Sequence, residues 1–274
     1  MARTIANMRT AEPVRAGMAM WDIAVPQRPS VLRGVSMAGF RDRSNELVAL
    51  DVVPYPAVTL VVDLGDGVVI DDGTGRQQRG SLVAGIAPGA IRGSGRDIEV
   101  LQIRLSPLIA RAAELSGTVI TLDYLWGRDA ERIQDRLRDT KSWDERFTIA
   151  ESALLNRLDT NVDPEIEFSW RRMVTSRGQI RIEELAAEVG WSRKRLWSRF
   201  RGRVGLTPKR AAQLIRFDHA AHRLAAGHSA ATVAVESGYV DQSHLNRDVM
   251  AFTGVTPTTV AAAPWLAVDD VAWG

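Results

Sequence analysis

Between residues 192 and 203 the chain carries six cations, Arg193, Lys194, Arg195, Arg199, Arg201 and Arg203, and no acid. Leu196, Phe200 and Val204 recur at i, i+4 and i+8, so on a helix they share one face and belong to a core. Lys194, Trp197, Ser198 and Arg201 then share the outward side. Guanidinium and ammonium groups suit guanine edges and phosphate, and an indole between them suits thymine methyls or sugar edges. The competing reading for Trp197 is burial against a neighbouring helix, since Trp is usually well buried. In a second stretch, Asp241 to Thr253, the residues Leu245, Val249 and Phe252 point inward, while Gln242, Ser243, Asn246 and Arg247 point outward. Gln and Asn can pair bidentately with adenine, and Arg with guanine. This is the chemistry of nucleic-acid recognition.

Catalytic chemistry has few candidates. All four histidines, His219, His222, His228 and His244, fall in the last third, and there is no cysteine. The first two thirds therefore lack an imidazole for a metal triad, a Ser-His-Asp triad or acid/base work, and the whole chain lacks thiolates. Carboxylate-only chemistry at Asp51, Asp63 or Asp71 competes with their plainer reading as turn and strand-end residues. His219 and His222 lie three apart with no third ligand in evidence, so packing or solvent exposure is the expectation there. The reading is a protein that is not an enzyme and needs neither metal nor cofactor.

The elements that hold the two basic and polar stretches repeat. Leu185-Ala186-Ala187-Glu188-Val189-Gly190-Trp191 recurs as Val233-Ala234-Val235-Glu236-Ser237-Gly238-Tyr239, displaced by 48 residues. Gly205-Leu206-Thr207-Pro208 answers to Gly254-Val255-Thr256-Pro257 at a displacement of 49, so one residue is inserted after the second turn. Each copy reads as an apolar-faced helix, a Gly at C′ and a second helix opened by an N-cap, Ser192 or Asp241. That is the helix-turn-helix pattern, which puts its second helix in a major groove. Any pair of packed helices could show one such unit; the repetition and the basic second helix favour the DNA reading. Between the copies, Thr207 caps a helix that Pro208 starts and Gly227 closes, with Leu214, Phe217, Ala221 and Leu224 as its packing stripe. About 19 residues of helix span roughly 28 Å, close to one turn of DNA.

Here the residues match a family. Gly238-Tyr239-Val240-Asp241-Gln242-Ser243-His244-Leu245-Asn246-Arg247, followed by Thr253-Gly254-Val255-Thr256-Pro257, resembles the signature of AraC/XylS transcription regulators, and Glu184 through Pro208 fits the first copy. The resemblance covers roughly residues 163–262. It implies a seven-helix domain with two helix-turn-helix units in successive major grooves. It puts Lys194, Trp197, Ser198, Gln242, Ser243, Asn246 and Arg247 on base-facing positions, and charge adds Arg193, Arg195 and Arg201 as DNA-binding residues. Arg201 and Arg203 are expected to grip phosphate. Met250 stands where the family often has a basic residue. The implied partner is double-stranded promoter DNA; a small-molecule effector, RNA polymerase and a second copy of the chain are further partners the resemblance leaves open.

Charge supports this division. Residues 1–176 hold 22 Lys and Arg against 24 Asp and Glu, whereas residues 177–262 hold 13 against 7. Short β-branched segments, Leu47–Val53, Val58–Leu64, Val68–Ile70, Ser81–Ile86 and Asp97–Leu105, alternate with turns such as Pro54-Tyr55-Pro56 and Asp72-Gly73-Thr74-Gly75. In the last segment Ile98 and Val100 share one face and Leu101, Ile103 and Leu105 the other, which suggests a bulge. Ser142-Trp143-Asp144-Glu145 reads as a capping box, with Trp143, Phe147, Ala150, Leu154 and Leu158 as a stripe that packs in the monomer or pairs two copies. Asp163 is expected to cap a helix begun by Pro164.

The expected fold is therefore α+β: a β-rich domain over 1–160, cupin-like or a small barrel with helices, then the all-α double helix-turn-helix domain over 163–262. Ser106-Pro107-Leu108 and Leu122-Asp123 resemble N-terminal domains of actinobacterial family members. Its ligand is unknown; Tyr55, Tyr124 and Trp126 compete between a pocket lining and the core. Residues 1–20 show no apolar signal region, and no run is long enough for a membrane span. A cytoplasmic DNA-binding regulator is the expectation, either sensing an effector through residues 1–160 or using them only to dock a protein.

Overall fold

A computed structural model describes residues 14–16, 19–44, 46–72, 75–87, 89, 91–110, 112–155 and 157–273. Residues 1–13 of the segment read for a signal, and Gly73 and Thr74 of one expected turn, lie outside the described residues. The β-rich part contains β1 (Val14–Ala16), β2 (Ala19–Ala24), β3 (Val35–Asp42), β4 (Val48–Val52), β5 (Val58–Asp63), β6 (Val69–Asp71), β7 (Gln77–Arg79), β8 (Leu82–Ala84), β9 (Ile91–Gly95), β10 (Glu99–Leu105) and β11 (Val119–Thr121). They form a seven-stranded sheet in the order β1-β2-β3-β10-β5-β8-β11 and a four-stranded sheet in the order β4-β9-β6-β7. Neighbours pair antiparallel throughout.

The larger sheet is covered on both faces. Ile23, Phe40 and Val100 pack with Val48, Leu50, Ile70 and Ile91 of the smaller sheet. Met37, Leu60, Val62, Leu101, Ile103 and Leu105 point the other way, into a second core shared with helices. This corrects the expected bulge. β10 pairs in unbroken register from Glu99↔Arg41 to Leu105↔Val35, and its apolar residues change sides because both sides are buried.

Helices α1 (Ala112–Leu115), α2 (Asp123–Trp126), α3 (Ala130–Asp139) and α4 (Trp143–Leu154) follow the strands or interrupt them. Ser142 accepts the Glu145 N–H at the head of α4, the expected N-cap. The stripe behind it is spent inside the monomer: Phe147, Ala150 and Leu154 are buried in the shared core. Trp143 lies so close to β3 that a Cβ on Gly39 would stand 2.3 Å from its ring. The apolar face of this helix is thus covered within the monomer, the first of the two readings of the stripe.

The helical part comprises α5 (Pro164–Thr175), α6 (Ile182–Glu188), α7 (Arg193–Val204), α8 (Pro208–Ala225), α9 (Ala230–Glu236), α10 (Gln242–Thr253) and α11 (Pro257–Ala261). The sequence reading stopped at residue 262, and one more helix, α12 (Pro264–Trp273), runs back onto the β-rich part. Trp265, Val268 and Ala272 join the core between the sheets, where the Trp265 ring stands 5.2 Å from Phe40 and 5.7 Å from Trp21. Its indole N–H donates to the Tyr55 hydroxyl at 3.2 Å. Tyr55 and Trp126 are thus core residues and Tyr124 is exposed. No helix among the described residues is long and apolar enough to cross a membrane.

Charged side chains tie the two parts together. Arg203 at the end of α7 donates to the Leu108 carbonyl and to both the carboxylate and the carbonyl of Asp159. Arg199 pairs with Asp163 at 3.0 Å, so this carboxylate does not cap α5 as expected. Asp269 on α12 pairs with Arg104 of β10 and accepts from His222 of α8 at 3.1 Å. The Arg104 guanidinium is stacked between the rings of Tyr55 and Trp273.

Candidate nucleic-acid interface

Two turns aim the candidate helices. After α6, Gly190 takes a left-handed φ of 66°, and the Trp191 N–H returns to the Ala186 carbonyl at 2.9 Å. After α9, Gly238 repeats this at 73°, with Tyr239 N–H on Ala234. Only glycine adopts this conformation freely, and the returning bonds satisfy carbonyls at each helix end. Ser192 then accepts the Arg195 N–H at the head of α7, and Asp241 accepts the His244 N–H at the head of α10. Both expected caps are in place.

The inward faces follow the sequence spacing. Leu196, Phe200 and Val204 of α7 are fully buried, as are Leu245 and Val249 of α10, with Phe252 nearly so. Phe252 stacks on Phe217 of α8 at 5.0 Å. Leu214, Phe217, Ala221 and Leu224 bury the face of α8 that joins the two units. This connecting helix has 18 residues, about 27 Å of rise.

The outward faces remain free. Arg193, Lys194, Arg195, Trp197, Ser198, Arg201, Gln242, Ser243, Asn246 and Arg247 are all exposed. Trp197 is 46 % exposed, so the competing reading of a buried indole fails. The Arg201 guanidinium stands 5.2 Å from its ring, and that of Arg195 stands 4.4 Å from the Trp191 ring. Both arrangements hold an arginine against an aromatic face while leaving its donors available.

Pairing changes the charge count on these helices. Arg193 meets Glu183 at 3.0 Å, Arg199 meets Asp163, and Arg203 is held at the Asp159 loop. The expectation that Arg203 grips phosphate is therefore corrected. On α7, Lys194, Arg195 and Arg201 keep no carboxylate partner among the described residues. On α10, Asp248 is buried and pairs with Arg216 at 3.4 Å, while Asp241 is occupied as the cap. Neither acid opposes Arg247, so the excess of α7 over α10 is smaller than the sequence count implied.

A concavity of about 880 Å³ lies between the units. Its walls include Lys194 and Trp197 of α7, the segment from Gly178 to Glu183, the first three turns of α8, and His244 of α10. Sequence reasoning passed over Arg181 and Lys209 in this lining. Their signal was weak, since each is a single cation outside the basic run.

The helix-turn-helix domain family matches residues 185–263. No curated protein matches the chain in sequence. Among solved structures, ToxT from Vibrio cholerae O395 aligns with a TM-score of 0.46 at 12% identity, covering 85% of this chain and 99% of that one. Unsaturated fatty acid bound wild-type ToxT from Vibrio cholerae strain SCE256 aligns at 0.45 and 10% identity, covering 86% and 98%. The C-terminal domain of AraT, a response regulator from Geobacillus stearothermophilus, aligns at 0.35 and 18% identity, covering 37% and 87%. The family match and the two-unit geometry define the class: a helix-turn-helix DNA-binding domain attached to a β-rich part. The matched stretch spans both units and the helix that connects them.

Proposed function

We propose that this protein is a sequence-specific transcription regulator that sets α7 and α10 into successive major grooves of promoter DNA. The observation that carries the reading is the pair of capped, exposed helices, one on each side of an α8 about 27 Å long, against ~34 Å between successive turns of one groove. Lys194, Trp197, Ser198 and Arg201 would meet one groove, and Gln242, Ser243, Asn246 and Arg247 the next. Arg193 and Arg195 stand at the edge of α7, where phosphates pass. Footprinting on a duplex selected from random sequence tests this. Two protected grooves about one turn apart on one DNA face are expected, and protection of a single groove would overturn it.

The division into a β-rich domain over 1–160 and a DNA-binding domain over 163–262 belongs to the same proposal, with α12 as an extension that returns to the first. Two readings of the β-rich part differ in where a ligand could go. Small-molecule sites usually offer ~300–1,000 Å³. The cavity beside Tyr55 and Gln102 between the sheets has about 50 Å³, below that range. A sensing role would use the boundary clefts instead, one of about 510 Å³ beside Ile91 and Val260 and one of about 630 Å³ beside Arg104 and Trp273. Titration of the selected duplex with the purified protein alone separates them. Specific binding without additive supports the effector-independent reading, and binding that requires a small molecule supports sensing.

A further inference from the structure

We propose that the concavity between the two helix-turn-helix units is itself a DNA-contacting surface. It would cradle the phosphates that flank the minor groove lying between the two occupied major grooves, and Arg181 and Lys209 would hold them. This rests on the two-groove reading above. The first support is position. One wall carries Lys194 and Trp197, from the reading face of α7, and another carries His244 of α10. A duplex that meets both helices therefore crosses this space, and the backbone between the two major grooves is what comes nearest its floor.

The second support is charge. Five cations line the concavity, Arg181, Arg193, Lys194, Lys209 and Arg216, against one acid, Glu183. Glu183 is already paired with Arg193, and Arg216 is turned to Asp248 and lies over the Tyr239 ring. Arg181 and Lys209 are exposed and form no salt bridge among the described residues; Arg181 acts on the Glu183 carboxylate only through space. Elsewhere many exposed arginines are spent on acids, as Arg43 is on Asp22, Arg92 on Asp51 and Arg132 on Asp129. Gln179 and Gln213 add neutral polar groups to the lining. Cations left unpaired in a hollow whose only acid is neutralised fit a polyanion backbone.

Contacts of this kind fix register and carry no sequence information. Each neutralised phosphate steepens the salt dependence by ~0.9 log units per log salt, a factor of about 8 in affinity between 1 M and 0.1 M. The test compares the full chain with Arg181→Gln, Lys209→Gln and the double variant, with Arg132→Gln in the β-rich part as a control of equal charge. The slope should fall by ~0.9 in each single variant and ~1.8 in the double variant, equally on selected and scrambled duplexes. Lys209→Arg should restore it, and Arg132→Gln should leave it unchanged. Ethylation interference at the phosphates flanking the central minor groove should vanish in the double variant alone. An unchanged slope in the double variant overturns the cradle, as does a loss confined to the selected duplex. An acidic protein segment as the true occupant would give the first of these results. Two-groove protection with an unchanged slope removes only the cradle; absence of two-groove protection in the wild type removes the underlying reading as well.

Discussion

Replacing Arg203 by alanine is expected to cost stability and leave salt-dependent DNA binding intact, the reverse of what a phosphate-gripping residue would do. In the folded chain its guanidinium bonds the Leu108 carbonyl and the carboxylate and carbonyl of Asp159. Hydrogen bonds to a charged group contribute about 1.5–3 kcal/mol each. They are not additive, and with 19% of the Arg203 side chain and 40% of Asp159 exposed, screening reduces the total to about 2–4 kcal/mol. For a protein of this size that lowers the melting temperature by roughly 3–7 °C. Gly205, two residues on, packs close against α1, where a Cβ would stand 2.8 Å from the Ala112 carbonyl. Arg201→Ala supplies the opposite pattern: little change in melting and a salt slope smaller by ~0.9. Thermal denaturation and duplex titrations at several salt concentrations read both. If Arg203→Ala melts like the wild type and loses slope, the junction is not held as argued and the residue faces DNA.

Three further outcomes are expected. Trp265→Ala should destabilise by about 3–5 kcal/mol in chemical denaturation, since it empties a site walled by Trp21, Phe40 and Tyr55. The hydrogen bond that His222 donates to Asp269 holds the His222 pKa up at about 9. Because that value is raised above the unfolded one, its stabilisation is complete below pH ~6.5 and is lost as pH rises through about 9. Melting temperature should decline over that window, and His222→Gln should flatten the decline; an equally steep decline in the variant would refute the assignment. Arg247→Ala should cost ~1–3 kcal/mol on the selected duplex and relax preference at one base pair, read by repeated selection with the variant.

The helix-turn-helix units were legible in sequence because every determinant is local. Ser192 and Asp241 cap, Gly190 and Gly238 turn, and Leu196, Phe200, Leu245 and Val249 fall on one face, all within a few helical turns. The β-rich part was legible only in part. β3, Val35-Ser36-Met37-Ala38-Gly39-Phe40, lacks the alternation of a half-exposed strand because both faces of its sheet are buried, and it passed unread. The same double burial made β10 look bulged. Charge counting could not say that Arg203 and Arg199 belong to a junction, since Asp159 and Asp163 reach them only after folding. The apolar stripe of α4 showed that something covers it, yet not that Trp143 lies over Gly39 of β3.

The return of α12 has a consequence for how the chain is made. Residues 19–105, which supply nearly all the strands, leave the ribosome well before Trp265, Val268 and Ala272, which finish the core between the sheets. At ~5–20 residues per second the remaining stretch takes roughly 10–30 s, during which Trp21 and Phe40 lack their cover. The strands synthesised early are thus completed only by a helix synthesised after both helix-turn-helix units. A product cut short just after α11 would carry every residue proposed here to meet DNA on an unfinished β-rich partner, open to proteolysis and aggregation. Placing the closing piece after the helix-turn-helix units makes a sound β-rich part depend on synthesis through α12.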